Sequence, residues 1–330
     1  MAVSSRNSFS DLARSLSRRD FIALAGGALG FSAFAAACTG NPSPAGSSGA
    51  DVKTISAITS GAQPLSVISP TDPVGPGKQF FGFALATNQR QFLTGGQPQV
   101  WFAPTPAAQA IGPTAAAWLA FTGYEKTGDR SPRSPIPGIY VAEIEPSQAG
   151  TWSVAVVAAE GSTRRAGESA LPVTTDPIPA PVGGKAKSTK TPVATSKSKI
   201  AEICTREPVC SMHAISLDDA LSNGKPTVVS FATPLLCESQ LCGPVVDEQI
   251  LVFEKYGRRA NFVHVEEFLP GKDRKPPQAT AQNASPAFKA WGFQDEPWVI
   301  VIDGDGIIRN RLGPGPAAAP EIEAALKPLL

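Results

Sequence analysis

Short apolar runs broken by Pro, Gly and Asn fill the chain from about residue 53 to residue 173. They predict strands over 54–58, 79–86, 99–103, 116–122, 138–145 and 151–158. In two of them the alternation is clear: Tyr140, Ala142 and Ile144 share one face, and so do Trp152, Val154 and Val156. Between those two strands, Pro146-Ser147-Gln148-Ala149-Gly150 reads as a turn. Several short strands at this spacing predict an all-β sandwich. Trp101, Trp118 and Trp152 are expected in its core, because large aromatics dominate burial. This half holds no His and no Cys and offers no catalytic constellation, so spacing or partner binding is its expected role.

The pattern changes after Lys199. Ser216-Leu217-Asp218-Asp219 reads as a capping box opening a short helix that stops at Gly224. A buried strand is predicted over 226–231 and a loop over 232–237. A helix over 244–256 follows, then a strand over 261–268 and a helix from Ser285-Pro286 to about residue 291. Strands over 298–303 and 307–312 pair through Gly304-Asp305-Gly306, and a helix over 320–326 closes the chain. That order is βαβ followed by ββα, an α/β domain over 201–330. Between the halves, residues 176–200 carry five Lys without an apolar period and read as a solvated basic linker. A contact with anionic lipid headgroups is the sharper alternative.

The first 37 residues read as an export signal. Arg6, Arg14, Arg18 and Arg19 precede an uncharged stretch, 21–37, too short and too rich in Ala and Gly for a stable span. Ser17-Arg18-Arg19-Asp20-Phe21-Ile22 resembles the twin-arginine export signature, with Arg18 and Arg19 as its pair. Ala35-Ala36-Ala37-Cys38 resembles the lipobox of bacterial lipoproteins, although Ala35 stands where Leu or Val is commoner. The resemblance implies that Cys38 carries lipid and anchors the chain outside the cytoplasm. Ordinary cleavage at a small-residue site is the alternative. Residues 38–52 are a Pro-, Gly- and Ser-rich tether, which leaves 53–175 to the sandwich.

Removing the signal takes four Arg and two Asp from totals of 29 basic and 28 acidic residues, leaving a net charge near −1. Nothing in that balance favours nucleic acid, which calls for a strongly basic surface.

With Cys38 assigned to lipid, four cysteines remain: Cys204, Cys210, Cys237 and Cys242. An exported chain can keep disulfides, and proximity favours Cys204–Cys210 and Cys237–Cys242 among the three possible pairings. The strand Val228-Val229-Ser230-Phe231 leading into the Cys237 loop and a helix resembles the thioredoxin superfamily. So do Trp291-Gly292-Phe293 and Glu296-Pro297 before a strand. The likeness covers about 212–330 and implies a thioredoxin-like fold, with Pro297 cis beside the cysteines. It also implies a thiol–disulfide oxidoreductase in which Cys237 attacks and Cys242 resolves, without cofactor, acting on exported protein thiols or disulfides. The run Gly138-Ile139-Tyr140-Val141 through Gly150-Thr151-Trp152 resembles the last strands of immunoglobulin-like envelope domains.

One departure matters. The family spacing is C-x-x-C, whereas here four residues separate Cys237 from Cys242. Residues five apart on one helix point about 140° from each other, so Cys237 must lie in the loop and Cys242 near the first turn. A helix start would favour a thiolate there, and Glu238 would oppose it. The alternative is a permanent disulfide on a redox-silent interaction module. Cys204 and Cys210 are expected as a static loop disulfide or as a second redox pair. No metal is favoured. The copper alternative, by likeness to Sco-type chaperones, draws on Cys210, Met212 and His213, close together in the sequence, joined by Cys237, Cys242 and His264, although His264 in mid-strand is expected to be simply buried.

Overall fold

The computed structural model describes residues 53–69, 73–123, 136–176, 178–237, 241–270, 282–313 and 317–330. The expected signal with Arg18 and Arg19, the lipid site Cys38 and the tether lie outside these residues, as do residues 238–240 between the paired cysteines. Among the described residues no helix is long and apolar enough to cross a membrane.

The N-terminal half is two facing sheets. One runs in the order β1 (Gln63–Pro64), β9 (Thr163–Val173), β8 (Gly150–Glu160), β4 (Gln99–Ala103), β5 (Ile111–Ala115). The other runs β2 (Ser66–Ile68), β3 (Gln79–Ala86), β7 (Gly138–Ile144), β6 (Ala117–Ala120). The inward faces interdigitate: Phe81, Phe83, Leu85, Tyr140, Ala142 and Ile144 from one sheet meet Val100, Phe102, Trp152, Val154, Val156 and Leu171 from the other. Polar tips in this core find partners, Tyr140 Oη donating to the Gly95 carbonyl at 2.9 Å and Trp152 Nε1 to Gln148 at 2.9 Å. Several sheets of this kind are consistent with an immunoglobulin-like β sandwich. Trp152 is buried in the core; Trp118 packs on Tyr140 at its edge, and Trp101 lies half-buried against the first helix.

Three expectations change here. Residues 54–58, read as a strand, form helix α1 (Ile55–Thr59), because Thr54 Oγ1 accepts the Ala57 N–H at 3.2 Å and Ile55 and Ile58 bury together. The strand read over 116–122 is shorter, β6 (Ala117–Ala120), and a further strand, β5, precedes it in the other sheet and ends at Ala115, with Ala116 buried at the crossing. Strand β9 gave no apolar signal, since Arg164 and Glu168 stand on its outer side and Arg165 and Gly167 interrupt its inner one. It pairs with β8 along its whole length through the Gly161-Ser162 connection, with Gly161 at φ +59°.

The C-terminal half has a four-stranded mixed sheet in the order β11 (Asn261–Val265), β10 (Thr227–Phe231), β12 (Trp298–Ile302), β13 (Ile308–Leu312). Strands β10 and β11 are parallel; β12 runs antiparallel to β10 and to β13. Around them lie α3 (Leu217–Ser222), α4 (Cys242–Tyr256), α5 (Pro286–Trp291) and α6 (Ala319–Leu326), after a single turn α2 (Lys197–Ile200). On one face Val229, Phe231, Val265, Trp298 and Ile300 pack with Phe288, Trp291 and Phe293, and the Phe293 ring stacks on Trp298 at 5.5 Å.

The segment expected as a solvated linker is packed against this half. Lys185 bridges Ile307, Ala180 and Ala186 join the core, and Thr189 accepts the Asp218 N–H through its carbonyl. Thr191 Oγ1 accepts the Leu217 N–H at 3.0 Å, so the start of α3 is capped from this segment and not by Ser216. The Lys spacing concealed this because the buried contacts are made by small residues and backbone between the charges, while Lys185 and Lys187 lay their ammonium groups on the Asp305 and Ala290 carbonyls.

Candidate functional site

Strand β10 runs on through Ala232 and Thr233 into a tight turn, in which Cys237 N–H donates to the Thr233 carbonyl at 3.0 Å. Cys242 is the first residue of α4, and a disulfide joins it to Cys237 with the Cα atoms 6.1 Å apart. Cys237 therefore stands in the loop and Cys242 at the helix start. Cys237 keeps 6 % exposure and Cys242 none, so a reactant from solvent reaches the Cys237 sulfur first.

The register of β10 with β12 sets Phe231 opposite Trp298, which carries Glu296 and Pro297 across from Ala232 and Thr233. The Glu296–Pro297 peptide is cis. A Glu296 carboxylate oxygen and both sulfurs of the disulfide lie within 4.8 Å of one another. Glu296 is buried, and its Oε2 has no hydrogen-bond partner among the described residues. Burial first, then the neighbouring charges of Glu267 and Glu266, holds this carboxyl well above the usual carboxylate range; the Thr233 hydroxyl opposes the rise. Glu296 is consequently a buried carboxyl held towards its neutral form and placed against the disulfide.

A second group of chemical side chains lies under β11. The loop after α2 brings Cys204, Cys210 and His213 up to His264, and their ligand atoms lie within 4.8 Å of one another. All four residues are buried. Cys204 and Cys210, expected as a disulfide or a redox pair, stand as thiols with the sulfurs 3.9 Å apart. The loop is held by Thr205, whose N–H and hydroxyl both donate to Glu266 at 2.7 Å, and by Arg206, whose Nε donates to Asp247 on α4 at 2.6 Å. Burial pushes the Glu266 carboxyl up to about 8, although His264 Nε2 faces it at 3.6 Å and opposes the rise.

The copper alternative from sequence drew Cys210, His213 and His264 together with Cys237 and Cys242. Among the described residues those histidines cluster instead with Cys204 and Cys210, while Cys237 and Cys242 cluster with Glu296. Met212 is buried beside them and its carbonyl accepts the His264 N–H at 2.9 Å. Sequence reasoning missed Glu296 and Glu266 as site residues. The signal for Glu296 was its place beside Pro297 before a wholly apolar strand, where a charged side chain has little chance of solvent.

No protein-family model matches the chain, and no curated protein matches it. Among solved structures it is similar to the Lin-41 filamin domain, at 11 % identity and a TM-score of 0.19 over 33 % of this chain and 91 % of that one. The M1 domain from titin is similar at 11 % identity and TM-score 0.18, over 33 % of this chain and 96 % of the other. MtrC from Shewanella baltica OS185 is similar at 13 % identity and TM-score 0.22, over 46 % of this chain and 28 % of that chain. At such scores none of these likenesses bears on chemistry.

Proposed function

We propose that the chain is a thiol–disulfide oxidoreductase of thioredoxin-like fold, working outside the cytoplasm and anchored to the membrane through lipid on Cys38. Cys237 is its exchanging sulfur, Cys242 its resolving sulfur and Glu296 the proton donor and acceptor between them. The observation that carries the reading is the buried Glu296 carboxyl beside a disulfide whose inner sulfur opens a helix. The order β10–α4–β11, then β12–β13–α6, supports the fold assignment, and the Arg18-Arg19 and Cys38 motifs support the location.

The step balances as follows. A substrate thiolate attacks Cys237 Sγ, the Cys237–Cys242 bond breaks, and a mixed disulfide forms. Cys242 leaves as a thiolate and takes the Glu296 proton. A second substrate thiolate then attacks the substrate sulfur of the mixed disulfide and releases the Cys237 thiolate. Two electrons have passed from substrate to protein. In the reverse direction the Glu296 carboxylate removes the Cys242 proton, and the Cys242 thiolate resolves the mixed disulfide.

The test is a thiol count by mass spectrometry on native protein equilibrated across a series of dithiol redox buffers and alkylated. Cys237 and Cys242 are expected to titrate together as one two-electron couple, and Glu296→Gln is expected to slow the exchange without unfolding the protein. A disulfide that stays oxidised throughout in native protein would return the chain to a redox-silent binding module.

A further inference from the structure

We propose that Cys204, Cys210, His213 and His264 together bind one Zn²⁺ in a closed tetrahedral site. The site is separate from the Cys237–Cys242 disulfide and does not depend on the redox reading.

Two kinds of distance argue for a shared ion. A tetrahedral zinc with bonds of about 2.3 Å to sulfur and about 2.0 Å to nitrogen sets its ligands roughly 3.5–3.8 Å apart. Here the two sulfurs are 3.9 Å apart, and His264 Nδ1 stands 3.3 Å from Cys210 Sγ and 3.9 Å from Cys204 Sγ. A ring nitrogen of His213 completes the group, all four ligand atoms lying within 4.8 Å of one another. A disulfide would need the sulfurs at about 2.05 Å.

The second argument is the surroundings. His264 Nε2 donates to the Ala232 carbonyl at 2.8 Å, which fixes the tautomer with Nδ1 turned towards the sulfurs. Zinc-bound imidazoles are oriented in this way by an outer partner. His213 is buried, and its Nε2 finds no hydrogen-bond partner among the described residues, a cost that a polar atom usually avoids. Two thiolates and Zn²⁺ sum to zero charge, which suits a site without solvent. Four protein ligands leave no open position, so the ion is structural. It clamps the loop carrying Cys204 and Cys210 onto strand β11, beside the chain that leads into the disulfide.

The experiment is metal analysis of the full chain purified without chelator or reductant. We expect one zinc per chain, and X-ray absorption at the zinc edge showing two sulfurs and two nitrogens at about 2.3 and 2.0 Å. Replacement by Co²⁺ is expected to give the visible bands of a tetrahedral thiolate site. Cys204→Ser and His213→Ala are each expected to lose the stoichiometric metal. The absorption measurement is made on the unaltered protein, so the proposal stays testable if a variant fails to fold. Protein without metal and with a Cys204–Cys210 disulfide would overturn the proposal. So would zinc bound without sulfur, or zinc retained at full stoichiometry in Cys204→Ser.

Discussion

Glu248, near the middle of α4, accepts the backbone N–H of Gly123 at 2.5 Å and so fastens the β sandwich to the helix that begins at Cys242. The same oxygen takes the Thr122 N–H, and the other carboxylate oxygen accepts the Ala319 N–H at the start of α6 at 2.8 Å. Gly123 is required by the closeness of the approach: a Cβ there would stand 2.7 Å from the Asp247 carbonyl oxygen. Three backbone donors from two distant segments thus converge on one buried carboxylate.

Glu248→Ala should therefore uncouple the halves. It removes the acceptor of two buried N–H groups, those of Gly123 and Ala319, and of the half-buried Thr122 N–H, and hydrogen bonds to a charged acceptor contribute on the order of 1.5–3 kcal/mol each at most, so a loss of about 3 kcal/mol or more is expected. Calorimetry should show one transition in the parent and two in Glu248→Ala and in Gly123→Ala. A single unshifted transition in both variants would mean that the interface contributes nothing.

Glu296 makes stability fall as pH rises. Its folded value lies above its unfolded value of about 4.3, so the folded state binds more protons between the two. Stability is then full below about pH 4.3 and declines by at most about 1.4 kcal/mol per pH unit up to the folded value. Urea unfolding from pH 4.5 to 7 should show this decline in the parent and a flatter curve in Glu296→Gln. Parallel curves would place Glu296 in water, ionised in both states.

The apolar periods made β3, β4, β7, β8, β10 and β12 legible in the sequence, and with them the place of Cys237 and Cys242 about the start of α4. What stayed illegible was polar. Glu248, Glu266, Glu296, Arg206 and Asp247 carry no burial signal of their own, and their burial depends on partners far along the chain, such as Gly123 for Glu248. Strand β9 was hidden because Arg164 and Glu168 face outward, Arg165 interrupts the inner row opposite Ala158, and Gly167 weakens its period where the Leu65 backbone crosses. His264 was expected to be buried in mid-strand, but the loop that brings Cys204 and Cys210 to it has no period to read.

Arg206 and Asp247 form a buried ion pair, the guanidinium Nη2 standing 2.5 Å from Oδ1. Arg206→Met leaves the Asp247 carboxylate buried without its cation and should cost about 3–5 kcal/mol. Adding Asp247→Leu should recover most of that, because an apolar pair needs no solvation. Since Arg206 lies between Cys204 and Cys210, the single variant should also expose those thiols to alkylation. Denaturant unfolding and an alkylation time course check both parts, and a single variant as stable and as protected as the parent would refute them.

Thr233 offers the most direct control over Glu296. Its hydroxyl oxygen accepts the N–H of Glu267 at 2.7 Å and of Phe268 at 3.3 Å, and its interaction with Glu296 holds that carboxyl lower than burial alone would. Thr233→Val keeps the shape and removes the oxygen, so two consequences follow from one change. Stability should fall by about 1–3 kcal/mol from the two orphaned N–H groups. The Glu296 titration, followed by infrared absorption of its carboxyl, should move to higher pH, because the ionised form has lost a donor. An unmoved titration would show that the hydroxyl does not reach the carboxylate. A downward shift would mean that water had entered the space and solvated it, which would remove the dry setting that the proposed proton delivery to Cys242 requires.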